Sequence, residues 1–511
     1  MARFGFVGPS YTSQSLLADC QTLMNWYVES VESGQGKSAL VLYPTPGLAP
    51  FAMTAKPVRG GIKINGRTFF VGAGSLYEIK ADGSATNLGA VGNDFQPVTM
   101  ATNGSAGNQL AICSAGNVYV FYLKENGNHP AGELFGPVGG FQDRPSMIVF
   151  CNGYFVASLR DTNKFQSSSA EDGSTWNPLS VQQVQEFPEN IGGICSVFQQ
   201  LFVMGLDGHV QVYYDSGASS LTPFSTISGA FMEEGINAPW SLTVLDNTPF
   251  WIGGNANGNG IAWRANGYAP VRVSNHAVET AWARYPSKGS DAVGYAYVDQ
   301  GHTFWVLRFP SANGGFGATW VYDVATQMWH ERAFWSQQGP TGFSAHLSTC
   351  HVSAFGKHLV GDWNSGNVYA MDIATLTDNG QPIRRSRRAP HISSEQQRIF
   401  HYQMQLDLEV GDGPIPALLD GAGNPRDPQI MLRWSDDGGR TWGNEHWVSA
   451  GQAGTYRTRA LWNRMGCARD RVYEVAVTDP IAWRIIDAYL KASPGFDMPV
   501  ERYSKQIAKM G

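Results

Sequence analysis

The 511-residue chain contains 59 glycines and 27 prolines, and aromatic residues (12%) are nearly as frequent as charged ones (15%). This composition favours short strands and tight turns over helices, and the formal net charge of −6 argues against a general nucleic-acid-binding protein, which usually has a basic face. No segment approaches the roughly 20 apolar residues of a membrane-spanning helix, and the first residues lack the apolar core of a signal peptide.

The cysteines stand singly in apolar runs, and the sequence has no CxxC pair. Free cysteine is usually buried, and a reducing cytoplasm keeps thiols unpaired. We therefore expect six buried free thiols. The histidines are dispersed, so we predict no metal site and no cofactor. The six cysteines are Cys20, Cys113, Cys151, Cys195, Cys350 and Cys467.

The first 55 residues are predicted to form an N-terminal arm. Leu23, Trp26 and Tyr27 have the i, i+3, i+4 spacing of an amphipathic helix, which predicts one short helix over 18–32. The proline-rich stretch 43–51 then interrupts regular structure, since proline disfavours helix in the residue before it.

Residues 56–377 show a repeat of strand, tight turn and strand. The second strands of successive copies are spaced by about 41 to 55 residues, which is the range of four-stranded propeller blades. We therefore predict a mainly β protein with a β-propeller of six to seven blades, in preference to stacked sandwiches. The aligned second-strand residues are Phe69, Leu110, Phe155, Phe202, Phe250, Phe304 and Leu359.

Residues 378–511 are predicted to form a separate antiparallel C-terminal β-domain. The segment 398–410 alternates with a period of two, and 431–442 and 470–477 also resemble strands. The basic run 383–390 is expected in an exposed connection, where it could touch DNA phosphates or simply be a solvated face.

Two short segments match the Asp-box pattern, a hairpin in which a carboxylate caps backbone N–H groups and a tryptophan packs underneath. Such a turn is a feature of the fold and not of a reaction. The first comprises Ser435, Asp437, Gly439, Thr441 and Trp442, and the looser second one Ser169, Glu171, Gly173, Thr175 and Trp176.

Asp boxes also occur in sialidase-type propellers, which leaves an enzymatic interpretation open. A sialidase needs an arginine cluster, a nucleophilic tyrosine and an acid, and arginines are sparse in the predicted propeller. We therefore predict no catalytic residue and no enzyme.

The segments 25–48 and 433–480 resemble the packaged-DNA stabilisation, or tail hub and nozzle, proteins of short-tailed bacteriophages. The NWYVE and YPTPGL strings carry the first resemblance, and the long pattern from RWSDDGGRTW to VTDP carries the second. The resemblance implies that the matched N-terminal residues lie near an assembly interface. They are Asn25, Trp26, Tyr27, Glu29, Tyr43, Pro44, Pro46 and Gly47.

The same resemblance implies a structural protein of the virion tail, assembled in the bacterial host cytoplasm. It implies a ring, a hexamer, that closes the channel below the portal and adaptor rings, retains packaged DNA and conducts it without sequence specificity. The expected partners are further copies of the chain, the portal-adaptor ring, and tail fibre, spike or needle proteins. The alternative is a receptor-facing propeller that binds or cleaves glycan.

Overall fold

The computed structural model describes residues 1–33, 35–218, 221–254, 258, 260–410, 418–451 and 459–495. The chain divides into two compact units. The propeller unit comprises 46–327 and 332–381, and the sandwich unit comprises 1–45, 328–331 and the chain from 382 onward.

In the described ranges, no helix is both long and apolar enough to cross a membrane.

The N-terminal residues of the sandwich unit form strands, and the helix predicted over 18–32 is wrong. Trp26, Tyr27 and Val28 are consecutive and all buried, so a strand covered on both faces produced the apparent helical spacing. The strands are β1 (Ala2–Arg3), β2 (Tyr11–Thr12), β3 (Cys20–Met24), β4 (Trp26–Ser30) and β5 (Leu40–Pro44).

The propeller unit consists of strands with few helical turns. Its two α-helices are α1 (Gly104–Gly107) and α2 (His276–Ala283), and 3-10 turns occur at Pro239–Ser241 and Asn313–Gly315. In chain order its strands are β6 (Gly47–Met53), β7 (Val58–Ile64), β8 (Arg67–Gly72), β9 (Ser75–Ile79), β10 (Ala85–Ala90), β11 (Thr99–Thr102), β12 (Gln109–Ser114), β13 (Asn117–Tyr122), β14 (Leu134–Phe135), β15 (Pro145–Cys151), β16 (Tyr154–Leu159), β17 (Lys164–Ser169), β18 (Asp172–Gln183), β19 (Ile191–Val197), β20 (Gln200–Gly205), β21 (Val210–Asp215), β22 (Phe224–Met232), β23 (Thr243–Leu245), β24 (Thr248–Gly254), β25 (Gly260–Asn266), β26 (Ala269–Arg272), β27 (Val293–Asp299), β28 (His302–Phe309), β29 (Ala318–Asp323), β30 (Met328–Phe334), β31 (Ser344–Ala345), β32 (Ser348–Ala354), β33 (Lys357–Asp362), β34 (Asn367–Asp372), β35 (Thr377–Asp378) and β36 (Gln381–Pro382).

Six blades of this unit contain four antiparallel strands each. They are β7–β10, β11–β14, β15–β18, β19–β22, β23–β26, and β32–β34 completed by β6. A further sheet, β27–β29, stands between the fifth and sixth of these blades in the ring, and the chain of its next strand, β30, begins in the sandwich unit. The first strand of each sheet contacts a strand of the next sheet, and β32 contacts β7. The ring is therefore closed, and the predicted propeller is confirmed.

The repeat read from the sequence corresponds to the second strands of these sheets. Phe69, Phe155 and Phe304 lie in β8, β16 and β28, and each has at most 3% of its surface exposed. Leu110, Phe202, Phe250 and Leu359 occupy the same position in β12, β20, β24 and β33. Burying this side chain against neighbouring blades makes it apolar in every copy.

Two-residue turns connect several first and second strands. Asn152 and Gly153 have φ of 43° and 89°, as the turn types that suit hairpins require. At the equivalent place in the next blade, Phe198 and Gln199 have φ of 48° and 62°. A bulky residue in this conformation costs on the order of 1–2 kcal/mol, so this turn is strained where its neighbour is not.

The rest of the sandwich unit is built from C-terminal strands. They form two sheets, one ordered β4-β5-β45-β39-β42 and the other containing β3-β37-β44-β40-β41. The strands are β37 (Arg385–Arg388), β38 (Ile392–Ser393), β39 (Ile399–Val410), β40 (Gln429–Ser435), β41 (His446–Ser449), β42 (Arg459–Asn463), β43 (Cys467–Ala468), β44 (Asp470–Val477) and β45 (Trp483–Pro494).

One apolar core joins the first and last strands of the chain in this unit. Trp26 and Leu42 pack in one cluster with Leu406, Tyr473 and Trp483. The indole Nε1 of Trp26 donates to the carbonyl oxygen of Trp483 at 3.3 Å. Residues 1–45 are therefore part of the C-terminal β-sandwich, where the sequence predicted a separate arm.

Candidate functional site

The Asp-box hairpin after β40 has the predicted geometry. The Oδ1 of Asp437 accepts from the backbone N–H of Arg440 at 3.0 Å and Thr441 at 2.9 Å, and the Thr441 hydroxyl donates to its Oδ2 at 2.6 Å. Ser435 Oγ donates to Asp437 and accepts from the Gly439 N–H at 2.8 Å. The bond from the Thr441 hydroxyl is the largest cause that lowers the pKa of Asp437.

Trp442 completes this hairpin and packs against two arginines. Its Nε1 donates to the Gly439 carbonyl at 3.1 Å. The guanidiniums of Arg388 and Arg433 lie 4.6 and 4.9 Å from the ring centroids of the indole. Both arginines also bind Glu474, Arg388 Nη2 at 3.0 Å and Arg433 Nε at 2.7 Å. The arrangement holds the turn to the sheet.

The second Asp-box segment keeps the tryptophan contact and changes the carboxylate. Trp176 Nε1 donates to the Gly173 carbonyl at 2.7 Å, at the same i−3 spacing as in the first hairpin. The capping carboxylate is Asp172, which accepts from the Ser174 N–H at 3.0 Å. Glu171, predicted for that role, instead occupies the turn with φ of 55°. Only two residues separate β17 from β18, and the capping carboxylate is one position later in the sequence than the pattern predicts. The remaining pattern residues, Ser169 and Thr175, lie in β17 and β18.

The predicted assembly residues are mostly buried within the chain. Six of the eight are buried, namely Asn25, Trp26, Tyr27, Pro44, Pro46 and Gly47. Glu29 and Tyr43 are half-buried. Asn25 has a φ of 58°, and its Nδ2 donates to the Arg384 carbonyl at 2.8 Å. These residues therefore contribute to the fold of the chain, and a role of the eight at an assembly interface stays a prediction.

The basic run 383–390 is a strand and not the exposed connection expected from the sequence. Arg385 and Arg387 are fully buried, and burial lowers the pKa of Arg387 to about 9. Arg384 and Arg388 pair with Glu445 and Glu474 at 3.0 Å. Because these cations are buried or paired, the proposed contact with DNA phosphates is not supported.

The arginines of the propeller unit also make structural contacts. Arg59 donates to the carbonyls of Gln96 at 2.6 Å and Ala73 at 2.8 Å. Arg332 Nη2 donates to the Pro46 carbonyl at 3.0 Å. Arg308 lies 5.2 Å from the Trp363 ring, and burial lowers its pKa to about 10. Each of these three side chains therefore makes contacts within the propeller fold.

Four cysteines are buried as predicted, and two are not. All six are free thiols, with Cys350 half-buried and Cys467 exposed. Burial raises the pKa of Cys113, Cys195 and Cys350 to about 12. Among the described residues, no three His, Cys, Asp or Glu side chains are grouped so that they could hold a metal ion.

Charge is divided unequally between the two units. The propeller unit has 16 Lys and Arg against 23 Asp and Glu, a net charge of −7, and the sandwich unit has 20 against 19, a net charge of +1. The surplus of acid in this chain therefore belongs to the propeller. A surface of this sign repels phosphate.

Two pockets open on the end of the propeller that carries the turns between second and third strands. One, of about 360 Å³, includes Asp94, Arg160, Asp161 and Trp240. The other, of about 670 Å³, combines aromatic and uncharged polar side chains. Its lining includes Phe316, Phe334, Trp335, Trp363, Gln337, Gln338 and Asn364.

Two protein-family models match the chain. One, described as bacteriophage P22 Gp10, beta-propeller, matches residues 19–376. The other, described as bacteriophage P22 Gp10, beta-sandwich, matches residues 384–493. No curated protein sequence matches the chain.

Several solved structures are similar to the chain at low identity. The N-terminal domain of Nup159 matches with 11% identity and a TM-score of 0.40 over 69% of this chain and 99% of its own. Virginiamycin B lyase from Staphylococcus aureus matches with 10% identity and a TM-score of 0.39 over 64% and 99%. The computationally designed protein Ika8 matches with 10% identity and a TM-score of 0.37 over 64% and 99%. These TM-scores are too low to inform on function.

Proposed function

Because the chain belongs to the bacteriophage P22 Gp10 family, the tail hub or nozzle proteins of short-tailed phages, we propose that it forms a ring that closes the tail channel. In this proposal the ring lies below the portal and adaptor rings, retains packaged DNA and conducts it outward during ejection. The observation that carries the proposal is the match of both family models, one to each part of the chain.

The charge distribution supports a channel wall that does not hold DNA. The propeller unit has a net charge of −7, and the basic run of the sandwich unit is buried or paired. Negative surface repels the phosphate backbone, so DNA would pass without being bound. We therefore propose that retention comes from a narrow bore closed by another tail component, a fibre, spike or needle protein, rather than from adhesion.

Particles produced without this chain test the proposal. They should package DNA and then lose it, measured as nuclease-sensitive DNA that rises with time after packaging, and the wild-type chain supplied in trans should restore retention. Particles that keep their DNA and only fail to adsorb to cells would instead identify a receptor-binding tip.

The proposal includes no catalysis, and it is supported by how the candidate residues are used. Asp437, Trp442 and Asp172 are bonded within their own turns. Arg59, Arg308 and Arg332 contact carbonyls or rings of the propeller.

A second candidate function, glycan binding, is favoured by the 670 Å³ pocket. Aromatic faces beside amide side chains, as at Trp363, Gln337 and Asn364, are a chemistry that suits neutral sugars. Titration of host lipopolysaccharide oligosaccharides against the chain, monitored by tryptophan fluorescence, tests it. Saturable binding that Trp363→Ala abolishes would support this function, and a flat titration would reject it.

A further inference from the structure

One sector of the propeller unit is acidic without interruption. Between Lys164 and Arg264 the sequence contains no lysine or arginine. This stretch forms the last two strands of the third blade, the whole fourth blade and the first half of the fifth. It contains nine acidic residues, which are Glu171, Asp172, Glu186, Glu189, Asp207, Asp215, Glu233, Glu234 and Asp246.

Large aromatic side chains are exposed in this sector and just beyond its end at Arg264. Phe198 is 76% exposed, Tyr214 44% and Tyr268 38%. They are neighbours, because the Tyr268 hydroxyl donates to Gln200 Oε1 at 3.1 Å and Gln200 pairs with Tyr214 across β20 and β21. Monomeric proteins seldom leave such rings grouped on the surface unless they bind there.

Acidic side chains lie at the same end of the propeller as these rings. First strands run in one direction around a propeller, so the turn at Asp246 lies at the same end as the turn at Phe198. The turn at Glu171, between the third and fourth strands of its blade, lies at that end too. Glu171 and Asp246 are both exposed. We call the three rings together with Glu171 and Asp246 the acidic end.

Phe198 lies in a strained turn of this surface. Phe198 and Gln199 both have positive φ, where the neighbouring blade has Asn and Gly. The strain brings no burial, since the Phe198 ring is 76% exposed. Strain that folding does not require is concentrated at functional sites.

The sandwich unit has a surface of the opposite character at the start of β39. Phe400 is 43% exposed and Tyr402 48%, and their rings stack at 6.5 Å. The Arg464 N–H donates to the Tyr402 carbonyl at 2.9 Å, and Cys467 pairs with Phe400. Arg464 and its neighbour along this loop, Arg469, are exposed. We call this surface the arginine edge, and it comprises Phe400, Tyr402, Arg464, Cys467 and Arg469.

We propose that the acidic end of one copy of this chain binds the arginine edge of the next copy. The charges are complementary, and the rings and arginines are residue types enriched at the centres of protein interfaces. Two different surfaces of one chain make a heterologous contact, which repeats from copy to copy and forms a ring when the rotation between copies closes. This inference rests on the proposed ring and names the contact that builds it.

Cross-linking between copies tests the contact directly. Cys467 is the exposed native thiol, and Gln199→Cys places a second thiol beside Phe198. A flexible bis-maleimide should join the two residues of neighbouring copies into a ladder of covalent oligomers. Phe95→Cys is the matched control, because Phe95 is also exposed (71%) and at positive φ (59°) but lies in a loop at the other end. The ladder should be absent from this control and from Gln199→Cys combined with Cys467→Ser.

Charge reversal tests whether the two surfaces recognise each other. Glu171→Lys with Asp246→Lys should weaken self-association by about tenfold or more in sedimentation velocity, and so should Arg464→Glu with Arg469→Glu. All four changes together should restore it, because the charges are again complementary. Phe198→Ala should weaken association, and Phe95→Ala should not.

The outcomes separate this inference from the proposed function. If the wild-type chain forms rings that neither charge reversal affects, the proposed contact is rejected and the proposed ring is retained. If cross-links form equally from Phe95→Cys, the acidic end is not the interface. If the wild-type chain does not form a ring even when it is added back to particles that lack it, both the proposed ring and this contact are rejected.

Discussion

The guanidinium of Arg387 donates from Nε to the carbonyl oxygen of Phe6 at 2.7 Å. The same side chain donates to the Pro9 carbonyl at 2.8 Å and to Gln21 Oε1 at 2.5 Å. One buried arginine from the C-terminal third of the chain thus donates hydrogen bonds to backbone carbonyls of the N-terminal segment. This relationship explains why residues 1–45 belong to the sandwich unit.

Replacing Arg387 should therefore destabilise the sandwich unit. Arg387→Met leaves the carbonyls of Phe6 and Pro9 buried without a donor, at a cost of about 1–3 kcal/mol for each. The midpoint of urea unfolding should fall accordingly. Arg398→Met, at an exposed arginine of the same unit, should leave the midpoint unchanged. Equal midpoints for both variants would contradict the structural role of Arg387.

Trp442→Ala should destabilise the Asp-box hairpin without affecting any activity. The indole is half-buried and contacts two guanidiniums, so we expect a loss of about 1–3 kcal/mol rather than the larger cost of a fully buried tryptophan. Thermal unfolding measures it. The matched control is Trp447→Ala, since Trp447 is 56% exposed, and it should cost little.

Asp437 should make stability depend on acid. Its pKa is lowered by the Thr441 hydroxyl first, then by backbone N–H groups, relative to about 3.9 in the unfolded chain. A lowered folded-state pKa contributes stability that is present above about pH 4 and lost as the pH falls below it. The melting-temperature advantage of wild type over Asp437→Asn should therefore be largest at pH 5–6 and shrink toward pH 3.

Thr441→Val provides the control for that pH dependence. It removes the hydroxyl donor and keeps the carboxylate, so the loss of stability on acidification should be smaller than in wild type. An advantage of wild type that stays constant from pH 6 to pH 3 would show that Asp437 does not titrate as its bonds indicate.

Thiol labelling should distinguish one cysteine from five. Under native conditions Cys467 should react rapidly with a maleimide, because it is exposed. Burial raises the pKa of Cys20 to about 11 and of Cys113 and Cys195 to about 12, so these thiols should react slowly. Mass spectrometry should show one adduct natively and six after denaturation without reductant. Native labelling of Cys467→Ser should give no adduct at early times. Fewer than six adducts on the denatured wild-type chain would reveal a disulfide.

The propeller could be read from the sequence because its signal is local. Phe69 and Leu359 lie 290 residues apart, yet each sits in a second strand beside a short turn of its own blade. Hydrophobic strands and turn residues therefore repeat with the period of the blade. The C-terminal Asp box was predictable for the same reason, since Ser435 to Trp442 form one continuous hairpin.

The N-terminal segment could not be read in this way because its partners are distant in sequence. Leu42 pairs with Ile485, and Ala2 with Leu490. A strand covered on both faces, such as Trp26–Ser30, has no alternation to distinguish it from a helix. The burial of Asn25 and Pro44 could not be inferred either, since conspicuous motif residues are equally compatible with a surface or a core.

The closing strand of the propeller determines when the protein can fold during its synthesis. Strand β6 leaves the ribosome early, but its partner β34 ends at Asp372, after every other blade has been made. Until then the nascent chain is an open arc with an unpaired strand edge at Gly47–Met53, a place where other chains could add. The sandwich unit can be completed only later in synthesis, because β1 pairs with β45. A premature stop anywhere before Asp372 therefore yields a chain with neither unit complete, and incomplete translation products should be aggregation-prone rather than partially functional.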